Sequence, residues 1–183
     1  MTAYLDNLVG ALGLSITDAM TAAAARAAGP GGQLAEAMVL TALRPGLSIK
    51  RLAERLRLSH AGAVRLVDRL VEAGWAERGA ADDRRAVRIV LTPAGQGELQ
   101  RLRAVRSERL SHVLGVLTPA ERAALEPIAE KLMRALTVDL IAAYANCRLC
   151  DTPACEAHGC PVEAEARARF TPILKEIPEG TRR

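Results

Sequence analysis

Four cysteines are the residues best equipped for chemistry in this chain: Cys147, Cys150, Cys155 and Cys160, a C-x2-C-x4-C-x4-C run closed by Pro161. The preceding 146 residues contain none. Cysteines serving as small apolar core residues would follow a helical stripe. These share their stretch with Pro153, Gly159 and Pro161, which break helices and let a loop wrap its thiolates round one centre. Soft thiolates suit Zn(II) or an iron–sulfur cluster. Structural zinc usually takes two close pairs separated by a longer loop, and here only the first pair is tight. The compact run ending in Cys-Pro favours the cluster. Asp151 and His158 are available as substitute ligands, although four thiols already complete a tetrahedral set. A thiol–disulfide switch is the competing chemistry.

The second chemical feature is positive charge. Twenty-five basic residues face 21 acidic ones, a net charge of +4. The excess has an address: residues 48–91 hold 10 basic and 6 acidic residues, whereas the flanks nearly balance. Such a local basic footprint is what a phosphate-binding face requires, because Lys and Arg displace condensed counterions there. An aromatic share of 2% argues against a stacking platform for single strands. Enzyme signatures are missing. There is no phosphate loop, no Gly-x-Ser-x-Gly elbow and no His-Glu-x-x-His site, and His60, His112 and His158 are not spaced with an evident acid. The chain therefore reads as a non-enzyme, with a thiol oxidoreductase using Cys147 and Cys150 as the enzymatic alternative. No charge-free run exceeds 11 residues and no basic residue precedes Arg26. Neither a membrane span nor a signal peptide is expected, which makes the cytoplasm the default location and metal or redox use of the cysteines the default reading.

The elements that must position these residues are mostly helical, since 35 Ala and 25 Leu favour helix and few residues favour strand. Leu5, Leu8, Val9, Leu12, Ile16 and Met20 make an amphipathic stripe that ends at Gly29-Pro30-Gly31-Gly32, and a second helix fits Gln33–Leu43. Ser48 caps a short helix Ile49–Leu56, and Ser59 caps another running through Ala73 to the stop at Gly74. Two short helices across so brief a turn make a helix-turn-helix. Trp75–Arg78 and Ala86–Leu91 read as a hairpin with Arg84 and Arg85 at its tip. Thr92-Pro93 starts a long helix interrupted near Gly115, and Thr118-Pro119-Ala120-Glu121 is a capping box. It opens a final long helix to about Ala145, with Leu125, Ile128, Leu132, Leu136, Leu140 and Ile141 on one face. Residues 161–183 read as a mixed-charge tail with one or two helical turns. The expected division is 1–44 supporting helices, 45–92 helix-turn-helix with hairpin, 93–146 long helices, and 147–183 cysteine loop and tail.

A hairpin directly after a helix-turn-helix is a wing, and here the chain resembles the MarR family of winged helix-turn-helix regulators. The resemblance is carried by Pro45-Gly46-Leu47-Ser48, Leu52-Ala53-Glu54-Arg55-Leu56, Leu58-Ser59 and Val64-Arg65-Leu66-Val67-Asp68-Arg69-Leu70. Gly74-Trp75, Glu77-Arg78, Asp82-Asp83-Arg84-Arg85-Ala86 and Leu91-Thr92-Pro93-Ala94-Gly95 complete it. It implies a mainly α homodimer whose first and last helices interleave, and two winged lobes on a pseudo-palindromic operator in double-stranded DNA. It also implies repression, and a cleft for a small aromatic or lipophilic effector. The apolar first and last helices point independently to a partner surface. The four-cysteine run is not part of the family pattern.

Within the recognition helix, about residues 59–73, Ala63, Leu66, Val67, Leu70 and Val71 are expected in the core. Ser59, His60, Ala61, Gly62, Arg65 and Arg69 can then reach DNA, with Ser48 beside them. Arg65 suits bidentate contact with guanine or a phosphate clamp, and Val64 suits a thymine methyl. So few polar base-readers give weight to indirect readout. In the wing, about 75–91, Arg85 matches the family's minor-groove arginine with Asp83 orienting it, and Arg84 takes phosphate. The bland alternative has Arg65 and Arg69 merely paired with Asp68 and Glu72 on a solvated face. The combined expectation is a transcriptional regulator controlled by a metal or redox centre. The alternative is a small-molecule-responsive regulator with structural zinc.

Overall fold

Five side-chain caps punctuate the chain. Ser48 Oγ accepts from the Arg51 amide at 3.3 Å, Ser59 Oγ from Gly62 at 3.1 Å, and Thr92 Oγ1 from Gly95 at 3.0 Å. Thr118 Oγ1 accepts from Glu121 at 3.3 Å and Asp139 Oδ1 from Ala142 at 2.6 Å. Each satisfies amides that the first helical turn leaves without a partner. The helices so defined, in a computed structural model that describes residues 2–28, 33–80 and 87–175, are α1 (Thr2–Ala28), α2 (Gln33–Leu43), α3 (Ile49–Leu56) and α4 (His60–Glu72). They are followed by α5 (Pro93–Leu114), α6 (Pro119–Ala135), α7 (Leu140–Cys147), α8 (Thr152–His158) and α9 (Pro161–Lys175). Strands β1 (Leu47–Ser48), β2 (Ala76–Ala80) and β3 (Val87–Leu91) form one antiparallel sheet in the order β1-β3-β2. The fold is mainly α with a small wing, as expected.

The core belongs to the middle of the chain. Met38 and Leu40 of α2, Leu52 of α3, Leu66, Val67 and Leu70 of α4, Ile89 of β3, and Leu99 and Leu102 of α5 pack into one apolar cluster. Ala63 is also buried, while Val71 packs half-buried against the cluster. β1 escaped the sequence reading because two residues carry no periodicity. It forms because Gly46, at φ +81°, turns the chain so that Leu47 opposes Ile89 and Ser48 opposes Arg88.

The carboxy-terminal third corrects two expectations. The final long helix is two helices: α6 ends at Ala135, and α7 restarts after Asp139. Thr137 is fully buried at the break, its hydroxyl donating to the Met133 carbonyl at 2.8 Å, and β-branched Thr137-Val138 followed by a capping Asp explains the interruption. The cysteine stretch is not an open loop followed by a tail. Cys147 closes α7, Cys155 lies within α8, and α9 extends well beyond one or two turns. Pro153 and Pro161 sit in the first turns of α8 and α9, where a missing N–H costs nothing, so they start helices rather than break them. Among the described residues, no helix is long and apolar enough to cross a membrane.

Candidate nucleic-acid interface and cysteine cluster

The turn between α3 and α4 is tight. Arg57 adopts the left-handed conformation (φ 54°), the Leu58 amide donates to the Ala53 carbonyl at 2.9 Å, and Ser59 immediately caps α4. At the other end of α4, Gly74 (φ 72°) reverses the chain while the Trp75 amide donates to Leu70 at 2.9 Å, the hydrogen bond that closes a left-handed helix stop. With Ala63, Leu66, Val67 and Leu70 buried, α4 turns the opposite face outward. Ser59, His60, Ala61, Arg65 and Arg69 are exposed, and Gly62 and Val64 are half-buried beside them. A Cβ on Gly62 would stand 3.2 Å from Ser59 Oγ, so glycine leaves room for the cap. Ser48 is half-buried and committed to capping α3 and pairing in β1, which sets it apart from the exposed face of α4.

The wing is anchored at its root. Ala76 pairs with Leu91, Arg78 with Ile89 and Ala80 with Val87. The Thr92 amide donates to the Trp75 carbonyl at 3.1 Å and its hydroxyl to Gly74 at 2.6 Å. A Cβ on Gly95 would run into the Trp75 carbonyl, so only glycine lets α5 start here. Arg78 of β2 reaches across to the Asp68 carboxylate of α4. Asp68 thus ties the wing to the helix, a use that intrahelical spacing does not suggest. The tip residues Asp83, Arg84 and Arg85 lie between the last paired residues of β2 and β3, outside the described residues.

Two short helices, a capped turn and a hairpin folded back on the second helix are a winged helix-turn-helix, and comparison with known proteins specifies which one. The MarR family profile matches residues 33–86. A MarR family protein from Bacillus stearothermophilus superposes with a TM-score of 0.65 at 21% identity, covering 74% of this chain and 95% of that one. This chain has the MarR fold. Wild-type MarR from Escherichia coli superposes with a TM-score of 0.59, also at 21% identity, over 70% of this chain and 96% of that one. In sequence, the HTH-type transcriptional regulator PrsX of Escherichia coli is 34% identical over 101 residues, 52% of this chain and 61% of PrsX. The chain thus spans about three-fifths of the length of the curated relatives it matches.

The four cysteines lie beyond the segment that matches the MarR family. The Cys150 and Cys155 sulfurs are 3.2 Å apart, both as free thiols, and Cys147 stands within hydrogen-bonding reach of Cys160. Burial first, then the neighbouring Cys160 and Cys155, pushes the Cys147 thiol up to about 11; burial and Cys155 raise Cys150 as well. Among the described residues, no three metal-ligating side chains are already gathered on one point.

Sequence reasoning missed how this cluster is joined to the winged helix. Arg148 Nε donates to Glu36 of α2 at 3.2 Å, and Leu149 packs against the apolar core. Burial outweighs the pull of Arg148 and raises the Glu36 carboxyl above its usual range. Arg103 of α5 pairs with Asp151 at 3.6 Å. One turn back, Tyr144 of α7 lies under the Arg55 guanidinium of α3, 3.6 Å from ring centroid to Cζ, and its hydroxyl accepts from Arg44 at 3.5 Å. The scarcity of aromatics was the available signal: a lone Tyr near the end of an Ala-rich helix is there for a contact. A cavity lined by Met20, Val39, Leu99, Leu102, Arg106 and Leu149 measures about 20 Å3, room for one water and far too little for an aromatic effector.

Proposed function

We propose that this chain is a homodimeric, DNA-binding transcriptional regulator that acts as a repressor by occupying its operator, with α4 in the major groove and the β2–β3 wing on the adjacent minor groove. The observation that carries this reading is the division of α4. Ala63, Leu66, Val67 and Leu70 are buried, while Ser59, His60, Ala61, Arg65 and Arg69 face outward from the one basic segment of the chain. Arg65 is the base or phosphate reader, Val64 is placed for a thymine methyl, and Asp83, Arg84 and Arg85 supply the wing contact. PrsX is named a transcriptional regulator, which favours the same role here.

The homodimer reading rests on a second distribution. Among the described residues, every large apolar side chain left exposed falls in two stretches, Tyr4–Leu14 and Leu114–Ile141, from 37% exposed at Leu114 to 84% at Val116. Contiguous apolar faces of this kind mark association surfaces. A two-fold dimer would set two α4 helices about 34 Å apart, one turn of DNA.

Selection from fragmented genomic DNA, followed by affinity measurement across salt, tests the function. A pseudo-palindromic site whose affinity falls steeply with salt is expected. Arg65→Ala and Arg85→Ala should each weaken it by about 1–3 kcal/mol. Unchanged affinity in Arg85→Ala removes the wing from the mechanism, and failure to enrich any sequence removes the regulator.

A further inference from the structure

We propose that Cys147, Cys150, Cys155 and Cys160 together ligate one thiophilic metal centre, Zn(II) or an iron–sulfur cluster, which clamps α7, α8 and α9 into a single unit beside α5. The four half-buried thiols come from the end of α7, the turn after it, α8, and the residue just before α9, all within 14 residues. The Cys150 and Cys155 sulfurs are in contact at 3.2 Å, and Cys147 adjoins Cys160. Ligation draws the two pairs onto one centre and releases a proton from each thiol.

A second observation concerns charge. Four thiolates around a dication carry a net charge of about −2, which a half-buried site must offset. Two arginines of α5 face this region. The Nε of Arg106 is buried without a hydrogen-bond partner, and that of Arg103 is buried with the Asp151 carboxylate 3.6 Å away. Arg106 lines the small cavity together with Leu149, the neighbour of Cys150 in the chain. Buried guanidinium N–H groups without acceptors are costly. Sulfur acceptors carrying negative charge would relieve that cost. Inert cysteines leave the Arg106 donor without an acceptor.

The clamp is placed to influence the winged helix. Arg169 of α9 donates to the Thr137 carbonyl at the α6–α7 break at 3.4 Å, and Arg148 holds the end of α7 on Glu36. Tyr144 passes the position of α7 to Arg55 of α3. Occupancy of the centre therefore fixes the stance of α7 and, through one stacked contact, that of the first helix of the DNA-reading pair. Neither the site nor its test depends on DNA binding.

The full chain, purified without oxygen, should contain either one zinc or matching iron and sulfide with visible absorption; both outcomes support the site. After chelation, Co(II) added to the reduced apoprotein should give the thiolate-to-metal absorption of a four-sulfur tetrahedral site, and Zn(II) should displace it. Cys155→Ser should lose that spectrum. Because that variant could misfold, amide exchange on the wild-type chain supplies the second readout. Metal should slow exchange in 140–169 about tenfold or more, and slow exchange in 49–56 to a lesser degree. A protein that is metal-free as isolated and shows no Co(II)–thiolate absorption overturns the proposal. So does a Cys150–Cys155 disulfide as the isolated state. Exchange in 49–56 that ignores the metal overturns the link to α3.

Discussion

The winged module and the long helices around it are built from similar residues and treat them in opposite ways. Residues 33–102 contribute Met38, Leu40, Leu52, Val67, Leu70 and Ile89 to a core from which water is excluded. Helix α6, with Leu125, Ile128 and Leu132 along it, has no buried residue, and α1 leaves Leu5, Leu8, Val9 and Leu12 exposed. Hydrophobicity alone does not separate a core stripe from an interface stripe. The difference lies in whether the same chain supplies the opposing surface. The middle of the chain covers its apolar residues within one copy, and the ends leave theirs exposed.

That contrast can be broken from either side. Leu12→Glu combined with Ile128→Glu places two charges in the unpaired faces and should weaken self-association about 1000-fold, about 4 kcal/mol, in sedimentation equilibrium. The winged module should keep its fold. Association unchanged by the pair would mean that these faces meet something other than a second copy. Leu70→Ala strikes the other region. It should cost about 3 kcal/mol in denaturant unfolding, because α4 cannot collapse onto the cavity, while the protein that remains folded associates normally. Asp139→Ala tests the joint between the regions. Losing the α7 cap should cost about 1 kcal/mol, with faster amide exchange confined to the start of α7. Exchange that spreads through α2 and α4 would show that the joint and the core unfold as one.

The winged module was legible because its signals are local. Ser48, Ser59, Thr92 and Thr118 cap where the sequence places them, and Gly74 ends α4 where a left-handed residue is required. The outward face of α4 follows from the positions of Ala63, Leu66, Val67 and Leu70. The carboxy-terminal third was harder because its determinants are distant. The break at Thr137 depends on burial and on Arg169 reaching back 32 residues. The stack of Arg55 on Tyr144 joins residues that no spacing rule connects. Proline misleads in a specific way: Pro153 and Pro161 read as helix breakers in the sequence, whereas their positions just after Asp151-Thr152 and Cys160 make them helix starters.

The root of the wing has one more consequence. Trp75 is the only tryptophan in the chain, and it sits half-buried where α4, the first wing strand and α5 converge, its carbonyl held by Thr92 and pressed by Gly95. The protein therefore carries its own optical gauge. Selective excitation of the indole reads the polarity and rigidity of that single corner without a label. A change in the seating of the wing becomes a colour shift in one residue.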